Sequence, residues 1–129
     1  MRVYNKWHSI IKKELKKVNL THPQFVVLAS LAYLSQNGNE ITQIMISKLA
    51  GIDVMTVSQI LNLLEKNDFV KRKEHSRDTR AKAVILNKKG EEVLQKAVPL
   101  VEQIDEIFFE KLDTDEEQFK HFLARLNEE

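Results

Sequence analysis

ITQIMISKLAGIDVMTVSQILNLLEK, residues 41–66, constrains the fold more than any other stretch of the chain. It holds two segments with apolar residues at helical spacing, separated only by the turn around Gly51 to Asp53. Thr42 stands where it can cap the first helix and Asp53 the second, since a short oxygen-bearing side chain accepts from the free N–H groups of a helix start. Helices joined so tightly cannot fold back antiparallel; they cross at a wide angle, as a helix-turn-helix. In the second helix Val57, Ile60, Leu61 and Leu64 form the buried face. Met55, Gln59, Asn62 and Lys66 then face outward, flanked by Ser58 and Thr56. Such a face, small and polar near the amino end of its helix, is able to enter a major groove and hydrogen-bond base edges. Any surface helix of a helical domain can also carry these residues.

The flanking segments supply the rest of a helical body. Residues 1–20 read as an amphipathic helix with Val3, Trp7, Ile10, Ile11 and Leu15 on one stripe and Lys6, Lys12, Lys13, Lys16 and Lys17 facing away. A second helix is announced by Thr21 as cap, Pro23 in the first turn and Gln24 in the capping-box position. It carries Phe25, Leu28, Leu31 and Leu34 and breaks at SQNGNE, whose Asn37, Gly38 and Asn39 favour turn conformations.

Downstream, DFVKRKEHSRDTRAKAVILNKKG reads as a hairpin, with strands at Phe69 to Lys73 and Ala81 to Leu86 and a loop from Glu74 to Thr79. A hairpin directly after a helix-turn-helix is a wing, and its charged mouth lies beside the groove the helix occupies. The net charge of +1 is divided unevenly: residues 1–20 carry +5, 21–70 carry −2, 71–90 carry +6 and 91–129 carry −8. Concentrated basic charge suits phosphate, because each neutralised phosphate releases counterions. Lys73, Arg77 and Arg80 are the candidate DNA contacts of the wing, with Arg77 at the tip suited to a narrow minor groove. Asp78 lies two residues from Arg80 and is placed to pair with it and shape the loop.

A chain of 129 residues suffices for one domain with a modest core. The absence of cysteine excludes disulfides, thiol catalysis and thiolate zinc sites. His8, His22, His75 and His121 show no spacing that makes a helical metal site, so neither a metal nor a cofactor is expected. No apolar run approaches the roughly 20 residues that span a bilayer, and no signal-peptide pattern opens the chain, so a cytoplasmic protein without membrane association is expected. No carboxylate pair, Gly-rich phosphate loop or nucleophile with a base stands at a usable spacing, which argues against an enzyme. His22 is the one histidine near a domain junction, either lining a cleft or simply starting a helix at the surface.

Val93, Ala97, Leu100, Val101, Ile104, Ile107, Phe108 and Leu112 form an apolar stripe too long for a small core, with Pro99 expected to kink it. Thr114 with Glu117 reads as a capping box opening a last helix that carries Phe119, Phe122, Leu123 and Leu126. A monomer would leave much of this surface exposed, so a homodimer is expected, with Trp7, Ile10, Ile11, Ile104, Phe108, Phe119 and Phe122 in the interface.

In this order, LTHPQFVVLASLAYL (Leu20 to Leu34), Ile41 to Arg72, and RDTRAKAVILNKKG (Arg77 to Gly90) resemble the MarR-type winged-helix transcriptional regulators, most specifically in the last element. The resemblance implies a mainly α fold with a small β-hairpin. A winged helix-turn-helix over 21–90 would bind DNA, and helices from 1–20 and 91–129 would build an obligate homodimer. It also implies a pseudo-palindromic operator in double-stranded DNA, Thr42 and Gln43 near the DNA backbone, and an anionic or phenolic small-molecule effector in a cleft between the two regions. Gln59 stands where members often place an arginine, Asn67 and Asp68 where a glycine is usual, Asn87 where threonine is usual, and the amino end is short. Gln and Asn suit the N6 and N7 edge of adenine and Met55 a thymine methyl, so the expected operator is A·T-rich. The function expected is a dimeric repressor; the missing arginine favours an alternative, a winged-helix protein-interaction module or antagonist of another regulator.

Overall fold

A computed structural model of the chain describes residues 1–74 and 82–128. Helix α1 (Arg2–Leu15) buries Ile11 and Leu15 and ends in a short 3-10 turn, where Asn19 takes a left-handed conformation (φ 59°) that lets Leu20 N–H reach the Leu15 carbonyl at 3.2 Å. Helix α2 (His22–Leu34) opens with the expected capping box: Gln24 N–H donates to Thr21 Oγ1 at 3.2 Å, and Thr21 N–H to Gln24 Oε1 at 3.0 Å. Its burial is wider than one stripe, taking in Val27 and Ser30 as well as Phe25, Leu28 and Leu31, because α2 is the central helix on which most other elements pack.

Strand β1 (Ile41–Thr42) leads into α3 (Gln43–Ala50) and α4 (Val54–Lys66), followed by strands β2 (Val70–Glu74) and β3 (Lys82–Leu86). The three strands form an antiparallel sheet in the order β1-β3-β2, with Ile41 opposite Val84 and Val70 opposite Leu86. The hairpin is thus where it was expected, one residue further on in its first strand. Phe69 lies before the strand, buried, and its carbonyl accepts from Asn87 N–H at 2.9 Å. Strand β1 was not foreseen, since two residues give no alternation to read.

Asp68, and not Asn67, takes the left-handed conformation that the glycine-poor turn requires (φ 63°). Asn87 precedes α5 (Lys88–Phe109) but forms no side-chain cap; its Nδ2 donates instead to the Asp68 carbonyl and to Asp68 Oδ1, each at 3.2 Å. An amide of a type suited to cap a helix thus braces the turn that starts the hairpin instead. At Gly90 a Cβ atom would collide with the Phe69 carbonyl oxygen and approach Leu86 Cδ1 to 2.8 Å, so only glycine lets the first turn of α5 lie against this corner.

Helix α5 continues as one element through Pro99. A 3-10 segment, Glu110–Asp115, interrupted by Asp113 at φ 51°, then leads to α6 (Glu116–Leu126). The Thr114–Glu117 capping box does not form: Thr114 lies within the 3-10 segment, and the cap position falls to Asp115, which makes no side-chain bond there. Ile11, Leu15, Leu28, Leu31, Ile46, Leu61 and Leu64 sit at the centre of a single core, which Leu94, Ala97 and Ile104 of α5 complete. Among the described residues no single helix is long and apolar enough to cross a membrane.

Candidate nucleic-acid interface

Helices α3 and α4 meet at 110°. Gly51 makes the corner at φ 71°, and Ser47 closes it by accepting from Gly51 N–H at 3.0 Å through its carbonyl and donating its hydroxyl to the Ile52 carbonyl at 2.5 Å. Thr42 caps α3, its Oγ1 accepting from Met45 N–H at 3.3 Å. Asp53 caps α4 by accepting from Thr56 N–H at 3.1 Å and from the Thr56 hydroxyl at 2.6 Å; the hydroxyl bond above all holds the Asp53 carboxyl below its ordinary value. Thr56 is half-buried with its proton committed to this bracket, so what it offers a groove is its remaining lone pair.

The buried face of α4 is Val57, Ile60, Leu61 and Leu64, as its spacing predicts. Met55 is 72% exposed, Gln59 and Asn62 are exposed, and Ser58 is half-buried. Met55 and Gln59 are free to approach a ligand. Asn62 is not free: its Oδ1 accepts from Nη2 of Arg72 on β2. The same guanidinium donates through Nη1 to Gln43 Oε1 at 3.1 Å and through Nε and Nη2 to Glu65 Oε1 at 3.3 and 3.1 Å, while Arg72 N–H donates to Glu65 Oε2 at 3.2 Å. The Arg72 side chain is 12% exposed, and its bonds hold the Glu65 carboxyl below the ordinary value. Asn62 and Gln43, both expected to face DNA, thus belong to a network centred on a residue for which the sequence reading had no role. The signal was available, since Arg72 follows Val70 at strand period and so shares its inward face.

On the wing, Lys73 is exposed opposite Ala83, and both line a cleft of about 1130 Å³ between α2, the sheet and α5. Arg77, Asp78 and Arg80 lie outside the described residues. The cleft has an apolar lining that includes Ala32, Leu94, Val98 and Pro99, carries Tyr33, and is rimmed by Glu40, Glu91 and Glu102. His22 is not among its lining residues. It is half-buried at the start of α2, its ring 5.3 Å from Trp7 and 5.2 Å from His8, which stacks on Tyr4 at 5.3 Å.

The residues assigned to a dimer face divide in two. Ile11 and Ile104 are buried in the chain's own core, and Trp7 is half-buried, because α1 packs lengthwise on α5. Ile10 and Ile107 stay exposed and with Phe108 line an open groove of about 340 Å³ between α1 and α5. Phe119, Phe122, Leu123 and Leu126 are exposed on α6, which packs chiefly on the turn before it, with Phe119 5.9 Å from Phe109.

Residues 16–104 match the family model described as "ArnR1-like, winged-helix domain". The chain is 35% identical over 103 residues to the uncharacterized HTH-type transcriptional regulator YdcH of Bacillus subtilis, covering 80% of this chain and 70% of that protein. Among solved structures it superposes on a mutant MarR of Escherichia coli complexed with operator DNA, with a TM-score of 0.87 and 22% identity over 98% of this chain and 89% of the other. It also resembles Bordetella bronchiseptica BpsR, whose DNA binding is described as regulated by 6-hydroxynicotinic acid, with a TM-score of 0.83 and 26% identity over 96% and 86% of the two chains. The 110° helix pair, the hairpin that follows it, the family match across most of the chain and the likeness to YdcH agree: this chain is an HTH-type transcriptional regulator of the ArnR1-like winged-helix family, with the fold seen in MarR.

Proposed function

We propose that the protein is a repressor that binds a pseudo-palindromic operator as a homodimer, with residues 21–90 on the DNA and residues 1–20 and 91–129 holding two copies together. The observation that carries this is the exposed apolar face of α6, together with exposed Ile10 and Ile107 in the groove between α1 and α5: an isolated chain has no use for Phe119, Phe122, Leu123 and Leu126 in water. Lys6 and Lys111 both line this groove, close enough that a side-chain hydrogen bond with Lys6 first, and its charge second, lower the pKa of Lys111. Two-fold pairing sets two α4 helices about one DNA turn apart, the spacing a palindrome needs. Met55 and Gln59 then read bases, while Lys73, Arg77 and Arg80 serve the backbone or minor groove.

The effector of this regulator sits in the cleft between α2, the sheet and α5. Apolar lining and Tyr33 suit an aromatic ring, and the carboxylates at the rim favour a phenol over an acid. Selection of bound sites from random DNA tests the central claim. Two half-sites related by a dyad are expected; single half-sites, or no enrichment at all, would overturn it.

A further inference from the structure

Arg72 joins α3, α4 and the hairpin through one guanidinium, and that group is made only of donors. An amide that faces it must turn its oxygen inward. Asn62 therefore directs Oδ1 at Arg72 and its NH2 group away, and Gln43 does the same with Oε1. Asn62 lies one turn from Gln59 on the exposed side of α4, so its NH2 is what a base edge in the groove meets. An asparagine free to turn reads adenine with both atoms, donating to N7 and accepting from N6. With its oxygen held by a charged donor, the same side chain offers N–H to an acceptor and turns its acceptor away from the donor groups of adenine N6 and cytosine N4.

We infer that Arg72 is a positioning residue for sequence recognition: without touching a base, it fixes the polarity of the Asn62 amide and so selects base edges rich in acceptors, such as guanine O6 and N7 or thymine O4, at the position Asn62 faces. Glu65 is part of the device, since its carboxylate accepts two bonds from the guanidinium and a third from the Arg72 backbone N–H. The inference rests on the assignment of α4 to the major groove made above, and it narrows the adenine preference expected of Asn62 from its residue type.

The test is a base-preference profile, measured by binding of the full-length protein to a selected operator and its single-base variants, at several salt concentrations. Asn62→Ala is the reference: it is expected to flatten preference at one base pair per half-site. Arg72→Met is expected to change preference at that same base pair, with adenine and cytosine gaining about 5- to 100-fold relative to guanine and thymine, while the other positions and the salt slope stay as they were. In the Asn62→Ala background the Arg72→Met change should vanish. Arg72→Lys keeps the charge beside Glu65 but cannot fork to both amides, so it is expected to shift the same base pair and serves if the methionine variant unfolds. A uniform loss of affinity with a lower salt slope in either Arg72 variant would mean a phosphate contact and overturn the inference. So would an Asn62→Ala effect at one base pair with no Arg72 effect there. If Asn62→Ala leaves every position unchanged, it is the placement of this face of α4 in the groove that fails, and the inference with it.

Discussion

The indole Nε1 of Trp7 donates to Asp105 Oδ1 at 2.7 Å, tying α1 to α5 across 98 positions of sequence. The bond joins the amino- and carboxyl-terminal helical regions within one molecule. Trp7 also packs its ring edge on His22, so one side chain touches α1, α2 and α5 at their junction.

Trp7→Phe keeps most of the ring volume and removes the donor, leaving a half-buried carboxylate without its partner. A loss of about 1–2 kcal/mol is expected, read from the urea midpoint at constant m-value. Asp105→Asn keeps an acceptor for the indole and should lose less. Equal losses in the two variants would show that the hydrogen bond contributes nothing beyond packing.

His22 sets the sign of the pH dependence. Burial first, and the neighbouring His8 second, lower its pKa from the ordinary 6.5, while Asp105 opposes them. The unfolded chain then takes up a proton at this site more readily than the folded one, so stability is complete above 6.5, declines as pH falls below it, and levels off below the folded value. Asp53 and Glu65, whose carboxyls are lowered in the fold, add losses only at more acidic pH. Between about pH 8 and 5.5 the wild type should lose stability more steeply than His22→Gln. Parallel pH profiles for the two would remove His22 from the account.

Much of the DNA-binding half was legible because its signals are local. The Thr21 and Gln24 box, the Asp53 cap, the Gly51 corner and the apolar spacing of Val57, Ile60, Leu61 and Leu64 each act within four residues. What escaped depends on partners distant in sequence. Arg72 meets Gln43 across 29 positions, and β1 exists only because β3 pairs with it. Ile11 and Ile104 share the stripes of Ile10 and Ile107, and periodicity alone does not say which members of a stripe face the chain's own core. Asn87 and Thr114 show the limit of cap rules: each has the right residue type, but Asn87 finds a better partner in the Asp68 turn, and the 3-10 geometry at Thr114 denies it the extended backbone that a cap needs.

Removal of residues 114–129 deletes α6 and its exposed apolar face. The full chain should sediment as a dimer at micromolar concentration and the truncated chain as a monomer, and the truncated chain should lose affinity for a full palindrome far more than for a half-site. Phe122→Glu with Leu123→Glu places two charges on the same face and should act likewise, without removing any residue of the core. Undiminished binding of a full palindrome by either form would place the dimer contact elsewhere.

Helix and wing should fail in different ways. Gln59 is exposed and makes no hydrogen bond among the described residues, so Gln59→Ala removes only what it gives the DNA: roughly 1–3 kcal/mol on the selected operator and little on random sequence. Arg77→Ala removes one charge from each wing of a dimer and should weaken binding to all sequences, lowering the salt slope by about one unit per lost phosphate contact. Asp78→Ala is the control for the loop, because a carboxylate does not attract phosphate and acts only through the shape of its neighbours. Arg80→Ala should follow Arg77→Ala if Arg80 meets DNA, and Asp78→Ala if its partner is Asp78. The same loss on specific and random DNA, with the same salt slope, for Gln59→Ala and Arg77→Ala would refute the division of labour between a helix that reads sequence and a wing that holds the backbone.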